Sequence, residues 1–206
     1  ITQSGDGNCL HNIYRDSRGT MWMGGTDGLL RYDNYNGIYA NMSWFRQNSS
    51  ITPLSHNRIR SIYEDADGDI WVATDHGINW YDRKSGQFRN FIISDKTGRY
   101  STAWAYDLVL DSRKRLWVAA YMGGVFVIDK RKLLYSHGTV IADHHIADGK
   151  GKLFNIHVGQ LNIDAKGNIW ALVYSNGLAC INPVTFKVRS VMPQRSISYM
   201  MADSHG

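Results

Sequence analysis

Residues 62–82 read IYEDADGDIWVATDHGINWYD, and this phrase limits what the chain can fold into more than any other feature. Ile62 and Tyr63 are a β-favouring pair that stops at Glu64 and Asp65. Asp65-Ala66-Asp67-Gly68 is turn chemistry: the Asp65 carboxylate can accept a backbone N–H just downstream, and Gly68 can take a positive φ. Residues 70–73 resume a strand, Thr74-Asp75-His76-Gly77 turns again, and residues 78–81 form a third strand that Asp82 ends. Three antiparallel strands this short cannot bury their own faces. They need copies of themselves.

The copies are residues 13–33 (IYRDSRGTMWMGGTDGLLRYD), 108–129 (LVLDSRKRLWVAAYMGGVFVID) and 161–182 (LNIDAKGNIWALVYSNGLACIN), the last two one residue longer before the second glycine. In every copy an aspartate precedes a tryptophan by six residues: Asp16 and Trp22, Asp65 and Trp71, Asp111 and Trp117, Asp164 and Trp170. The tryptophans recur at intervals of 49, 46 and 53 residues. A truncated repeat, residues 197–206, ends in Asp203-Ser204-His205-Gly206, a further copy of the first turn. A period near 50 with three or four strands per repeat predicts an all-β chain of the β-propeller type, in which each blade buries the apolar face of the next. Residues 1–206 then form one incomplete propeller, a sector of about four blades plus the start of a fifth. The tryptophans are expected as wedges between blades, and the aspartates as fixed turn residues. Arg83-Lys84-Ser85-Gly86 is expected to be a hairpin turn into an outer strand at 87–93, and residues 136–159 the longest connection.

The phrase D-x-x-G-x-ϕ-W-ϕ-x-T-x-x-G-ϕ-x-x-Y-D, preceded by LSHNRIRSI at residues 54–62, resembles the two-component regulator propeller repeat. The resemblance covers nearly the whole chain. That repeat builds the periplasmic sensor regions of hybrid two-component systems of the Bacteroidetes type. The resemblance therefore implies a non-catalytic periplasmic sensor that recognises an oligosaccharide and contributes to signalling to a histidine kinase outside this chain. Related repeats occur in lyases, so a propeller lyase acting on a cyclic or uronic-acid substrate is the alternative, with a structural interaction propeller as a third reading. The implied partners are the oligosaccharide, acidic chains included, the remaining blades or domains of a parent sensor, and a second copy in a homodimer.

The sequence has the look of an excised piece: it lacks a starting Met and a charged-then-apolar leader, and no apolar run approaches the ~20 residues of a membrane helix. Its 23 basic and 18 acidic residues leave a net charge of +5. The basic residues cluster only at Arg113-Lys114-Arg115 and Lys130-Arg131-Lys132, as separate turn charges. Nucleic-acid binding would need a continuous basic stripe with interleaved aromatics, so none is expected, whereas a mild positive field suits uronic or sulfated sugars. Cys9 and Cys180 occupy different positions in their repeats, and both are expected to be unbridged apolar residues.

Metal-ligand residue types gather at Asp143, His144, His145, Asp148 and His157, but adjacent histidines in an extended segment point to opposite sides. Asp65-Ala66-Asp67-Gly68-Asp69 begins like a calcium loop and lacks the downstream bidentate glutamate. No metal or cofactor is expected. Gly24-Gly25 and Gly123-Gly124 precede no helix and cannot cradle a phosphate; no nucleophile-elbow phrase is present. A lyase-type site would draw on His76, His145 or His157.

Ligand contacts are expected instead where the repeats stop agreeing. The second turn runs Thr-Asp, Asp-His, Tyr-Met and Tyr-Ser-Asn through the four copies, and both one-residue insertions fall there. In a propeller this turn opens on the same face as the linker into the next blade. The expected ligand-binding residues are therefore Asp27, His76, Tyr121, Tyr174 and Asn176 from the turns, with Trp104, Tyr106 and His157 from the linkers. Aromatic rings beside amides and carboxylates suit a pyranose, which has an apolar C–H face and a polar rim.

Overall fold

The computed structural model describes residues 9–33, 42–50, 53–148, 153–193 and 195–201. The last five residues of the expected fifth repeat thus lie outside the described residues. The chain divides into two compact units, Ile1–Asn90 and Phe91–Gly206.

In the first unit, β1 (Leu10–Arg15), β2 (Met21–Gly25), β3 (Leu29–Tyr32) and β4 (Met42–Phe45) form one antiparallel sheet in chain order, blade one. Blade two is β5 (Ile59–Glu64), β6 (Ile70–Thr74), β7 (Gly77–Asp82) and β8 (Gln87–Ser94). The last four residues of β8 belong to the second unit. There β9 (Ala105–Leu110), β10 (Arg115–Ala120) and β11 (Gly124–Asp129) begin blade three, whose outer strand is β13 (His144–Ile146). Blade four is β14 (Val158–Ile163), β15 (Ile169–Val173), β16 (Gly177–Ile181) and β17 (Val188–Ser190). Four sheets of four or five strands, each built on consecutive antiparallel strands, are the blades expected from the period.

The first turn explains the six-residue spacing of Asp and Trp. In each blade one carboxylate oxygen accepts two backbone N–H groups of the turn, and the other accepts the indole N–H of the tryptophan. Asp16 holds Arg18 and Thr20 at 3.0 and 2.8 Å and Trp22 at 3.0 Å. Asp65 holds Trp71 at 2.9 Å, Asp111 holds Trp117 at 2.8 Å and Asp164 holds Trp170 at 2.9 Å. The aspartate closes the hairpin and fixes the ring with the same side chain, so a buried indole donor never lacks an acceptor. Burial pushes the Asp16, Asp111 and Asp164 carboxyls up, but the indole, the neighbouring cations or amide and the backbone donors outweigh it and hold all three below the usual carboxylate range.

The wedge positions are filled as the spacing predicts in the first three blades, where Trp22, Trp71 and Trp117 are fully buried. Trp22 of blade one packs against Phe45 and, across the blade boundary, against Tyr81 and Phe88 of blade two, with ring centroids 5.1 to 6.5 Å apart. Leu29, Leu54, Ile59, Ile70 and Val72 complete this core. Arg83 of blade two reaches back to Asp16 and Glu64, and Glu64 accepts from the backbone and hydroxyl of Ser17, which ties the same boundary at its polar rim. In the second unit Phe186 of blade four stacks on Trp117 of blade three at 5.8 Å. Trp170 departs from the expectation. It is half-buried, in a groove walled by Ile163, Leu178, Met200 and Met201.

Residues 136–159 are not one connection. Asp129 caps a short helix, α1 (Lys130–Tyr135), its side chain accepting the N–H of Lys132. The chain then adds β12 (Gly138–Ile141) in parallel to β8, Gly138 opposite Phe91 and Ile141 opposite Ser94, before β13 closes blade three. Strands of three or four residues are too short to show an alternating pattern, so the excursion read as loop. Cys9 is exposed, Cys180 is buried, and both are free thiols.

Candidate ligand-binding surface

Three backbone positions meet at the second turn of each blade. The turn leaves β2, β6, β10 and β15 three residues after the tryptophan and ends at a glycine with positive φ: Gly28, Gly77, Gly124 and Gly177. It holds two residues in blades one and two. In blades three and four it holds three, and Met122 and Ser175 take up the extra length in the left-handed region at φ 61° and 62°. The first turn residue is Asp75 in blade two, Tyr121 in blade three and Tyr174 in blade four. Its N–H donates to the carbonyl of Arg58, Trp104 or His157 respectively, at 3.3, 2.9 and 2.9 Å, which makes those three entry residues equivalent. Two residues on, each inner strand carries a bulge. The register with the second strand shifts past His11, Arg60, Tyr106 and Gly159.

Blade two fills these positions with charge. Arg60 grips both carboxylate oxygens of Asp75, and Arg58 stands 3.8 Å from the same group.

Blade three fills all three with rings, and blade four fills two, with Gly159 at the bulge. Tyr121 is the hub: its ring lies nearly parallel to Tyr106 at 5.3 Å and to His157 at 4.6 Å, tilted to Trp104 at 5.8 Å and edge-on to Tyr174 at 6.2 Å. Tyr174 also meets Tyr106 edge-on at 6.3 Å. Trp104 ends a short 3-10 helix, Thr102–Trp104, capped by the Ser101 hydroxyl. The exposed faces belong to Trp104 and Tyr174, 47% and 36% accessible, whereas Tyr106, Tyr121 and His157 are half-buried. The two exposed rings can contact a ligand directly, and the three behind them set their positions.

Five of the eight expected residues are thus brought together. Asn176 stays beside them, its amide donating to the Tyr174 carbonyl at 3.3 Å to brace the turn. Asp27 and His76 belong to the first unit. Asp27 is paired with Arg46 at 2.9 Å, and the exposed His76 donates its backbone N–H to the Thr74 hydroxyl at 3.1 Å. The bulge residues Arg60 and Gly159 were not anticipated. Their signal is the three-position register, which becomes visible only once the strands are paired. His144 and His145 do point to opposite sides of β13: His144 stacks on Phe186 at 3.9 Å, while His145 stacks on Phe126 at 4.4 Å and bonds the Gly123 carbonyl at 2.7 Å. Among the described residues no three His, Cys, Asp or Glu side chains are grouped to hold a metal ion.

Comparison with known proteins places this geometry. Residues 53–76, the second repeat from its entry strand to its second turn, match the family "Two component regulator propeller". Over its whole length the chain is 38% identical to the extracellular domain of the hybrid two component system BT4673 from B. thetaiotaomicron, with a TM-score of 0.91. The chain carries the two-component regulator propeller repeat. It spans 28% of the length of that solved chain. The extracellular domain of the hybrid two component system BT3049 from the same organism shares the propeller fold at 18% identity and a TM-score of 0.69, over 91% of this chain and 25% of that one. Virginiamycin B lyase from Staphylococcus aureus shares the fold alone, at 10% identity and a TM-score of 0.63, over 93% of this chain and 58% of the lyase. No curated protein matches. The extracellular character of the 38%-identical domain agrees with the periplasmic placement expected from the repeat.

Proposed function

We propose that this propeller is a non-catalytic part of a periplasmic sensor. In this reading it contacts an oligosaccharide through Trp104 and Tyr174 and contributes to signalling to a kinase elsewhere in the parent protein. The single observation that carries the reading is the ring cluster. Three backbone positions that hold a closed ion pair in blade two hold three rings in blade three and two, around Gly159, in blade four, with two of these rings left open to solvent. Exposed rings on a rigid strand scaffold suit the C–H face of a sugar, and the turn amides and the Tyr174 hydroxyl suit its rim. The charge of +5 admits acidic sugars alongside neutral ones. The remaining blades of the parent and a second copy of the chain are the protein partners that fit this role.

The lyase reading has the shared fold in its favour and less in its residues. His145 is occupied by the Gly123 carbonyl, and His157 is stacked in the ring cluster. The test is calorimetry on the chain within its complete propeller against maltohexaose, xylohexaose and hexagalacturonate, comparing wild type with Trp104→Ala and Tyr174→Ala. The reading expects one of these sugars to bind and each substitution to weaken it about tenfold or more, the size of one lost aromatic contact. Unchanged affinity in both, with folding intact, would move the site elsewhere.

A further inference from the structure

Each bulge residue with a side chain puts it to use. Arg60 closes on Asp75 of its own blade, Tyr106 stacks on Tyr121 of its own blade, and His11 bonds the carbonyls of Cys9 at 3.1 Å and of Ile59 in blade two at 3.0 Å. Blade four breaks the pattern with Gly159. Its φ lies outside the left-handed region, so the backbone does not require glycine there. The space does. A Cβ at Gly159 would stand 2.5 to 2.7 Å from the ring carbons and hydroxyl of Tyr174, well inside van der Waals contact.

We infer that Gly159 is the positioning residue of the ring cluster: by leaving the bulge position empty it lets Tyr174 lie across β14 and join the rings of blade three. In blades two and three the first turn residue pairs with the bulge side chain of its own blade. Tyr174 has no such partner, and its ring contacts are Tyr106 and Tyr121 of the neighbouring blade. One missing methyl group thus converts two single-blade pairs into one surface that spans two blades. The consequence for ligand choice rests on the glycan reading above: a sugar chain that uses Trp104 and Tyr174 together must lie across blades three and four.

The test separates the geometry from the glycan. Tyrosine nitration by tetranitromethane, mapped by peptide mass spectrometry without any sugar present, reads the exposure of Tyr174. In Gly159→Ala the ring is displaced into solvent, so Tyr174 nitrates several-fold faster while the exposed Tyr135 and Tyr199 keep their rates. The methyl group lowers the melting temperature when Tyr174 is present and has no further effect in the Gly159→Ala, Tyr174→Ala double variant. The cycle also covers a poorly folding single variant, since the double variant then recovers. With maltohexaose, xylohexaose or hexagalacturonate, whichever binds, Gly159→Ala weakens binding as much as Tyr174→Ala does, and the two losses do not add. An unchanged nitration rate together with an additive melting cycle would overturn the role of Gly159. A displaced ring with no sugar bound in wild type would uphold it and sink the glycan reading instead.

Discussion

The second turn of blade two and the second turn of blade three occupy the same backbone and do opposite things. In blade two, Arg60 closes on Asp75 with Arg58 beside the pair, so the turn presents charge instead of rings. In blade three, Trp104, Tyr106 and Tyr121 stack, and the tryptophan keeps about half of its surface open. Both turns hang from the same fastener, an aspartate that holds its hairpin and its wedge tryptophan together. The difference teaches that the scaffold needs the fastener and leaves the three turn positions free, which is why ligand recognition can change there without changing the fold.

The comparison breaks first if the fastener is not what holds the blades. Trp117→Ala should cost about 3–5 kcal/mol in urea unfolding, since a fully buried indole leaves a cavity beneath Phe186. Trp170→Ala, at the half-buried wedge, should cost roughly half of that. Equal losses would mean that blade contacts do not govern the energy.

Asp111→Asn should cost about 1–3 kcal/mol, because the amide cannot replace a charged acceptor for the Trp117 indole and the Arg115 guanidinium. The pH dependence follows from the same groups. Asp16, Asp111 and Asp164 are held below their unfolded values, and Asp95 is held at about 2. Carboxylates with depressed folded pKa values stabilise the fold above the unfolded value of about 4 and lose that contribution as pH falls through the folded one. Stability should therefore drop between about pH 4 and pH 2 in wild type, and less steeply in Asp111→Asn. A flat acid limb would contradict the assignment.

The smallest effect belongs to the blade-two turn itself. Asp75→Ala removes a partly exposed ion pair and should change stability by about 1 kcal/mol or less, with no effect on sugar binding. A loss of binding in that variant would extend the site to the charged turn.

The division between fastener and free positions also decides what the sequence could reveal. The blade strands, both turns of each repeat and the buried tryptophans were legible because they repeat: Asp, Gly and Trp keep their places against a changing background. The six-residue Asp–Trp spacing was visible, but its meaning as a hydrogen bond needs the indole orientation. Trp104, Tyr106, Tyr121, His157 and Tyr174 were legible as a set because they sit where the repeats diverge. Gly159 was not, since a glycine in a strand says nothing of which ring lies over it. The α1 and β12 excursion was hidden for a different reason: β12 is stabilised by pairing with β8, some fifty residues away, and carries no local signature.

One measurement tests the central claim most directly. Trp104→Arg, Tyr106→Arg and Tyr121→Asp, made together in the complete propeller, place the blade-two set on the blade-three backbone. Calorimetry with maltohexaose, xylohexaose and hexagalacturonate is then read beside a urea melt. The account predicts a single cooperative unfolding transition and loss of the sugar that wild type binds. Retained binding in the folded triple variant would contradict it, as would collapse of the blade, which would show that these three positions belong to the scaffold after all.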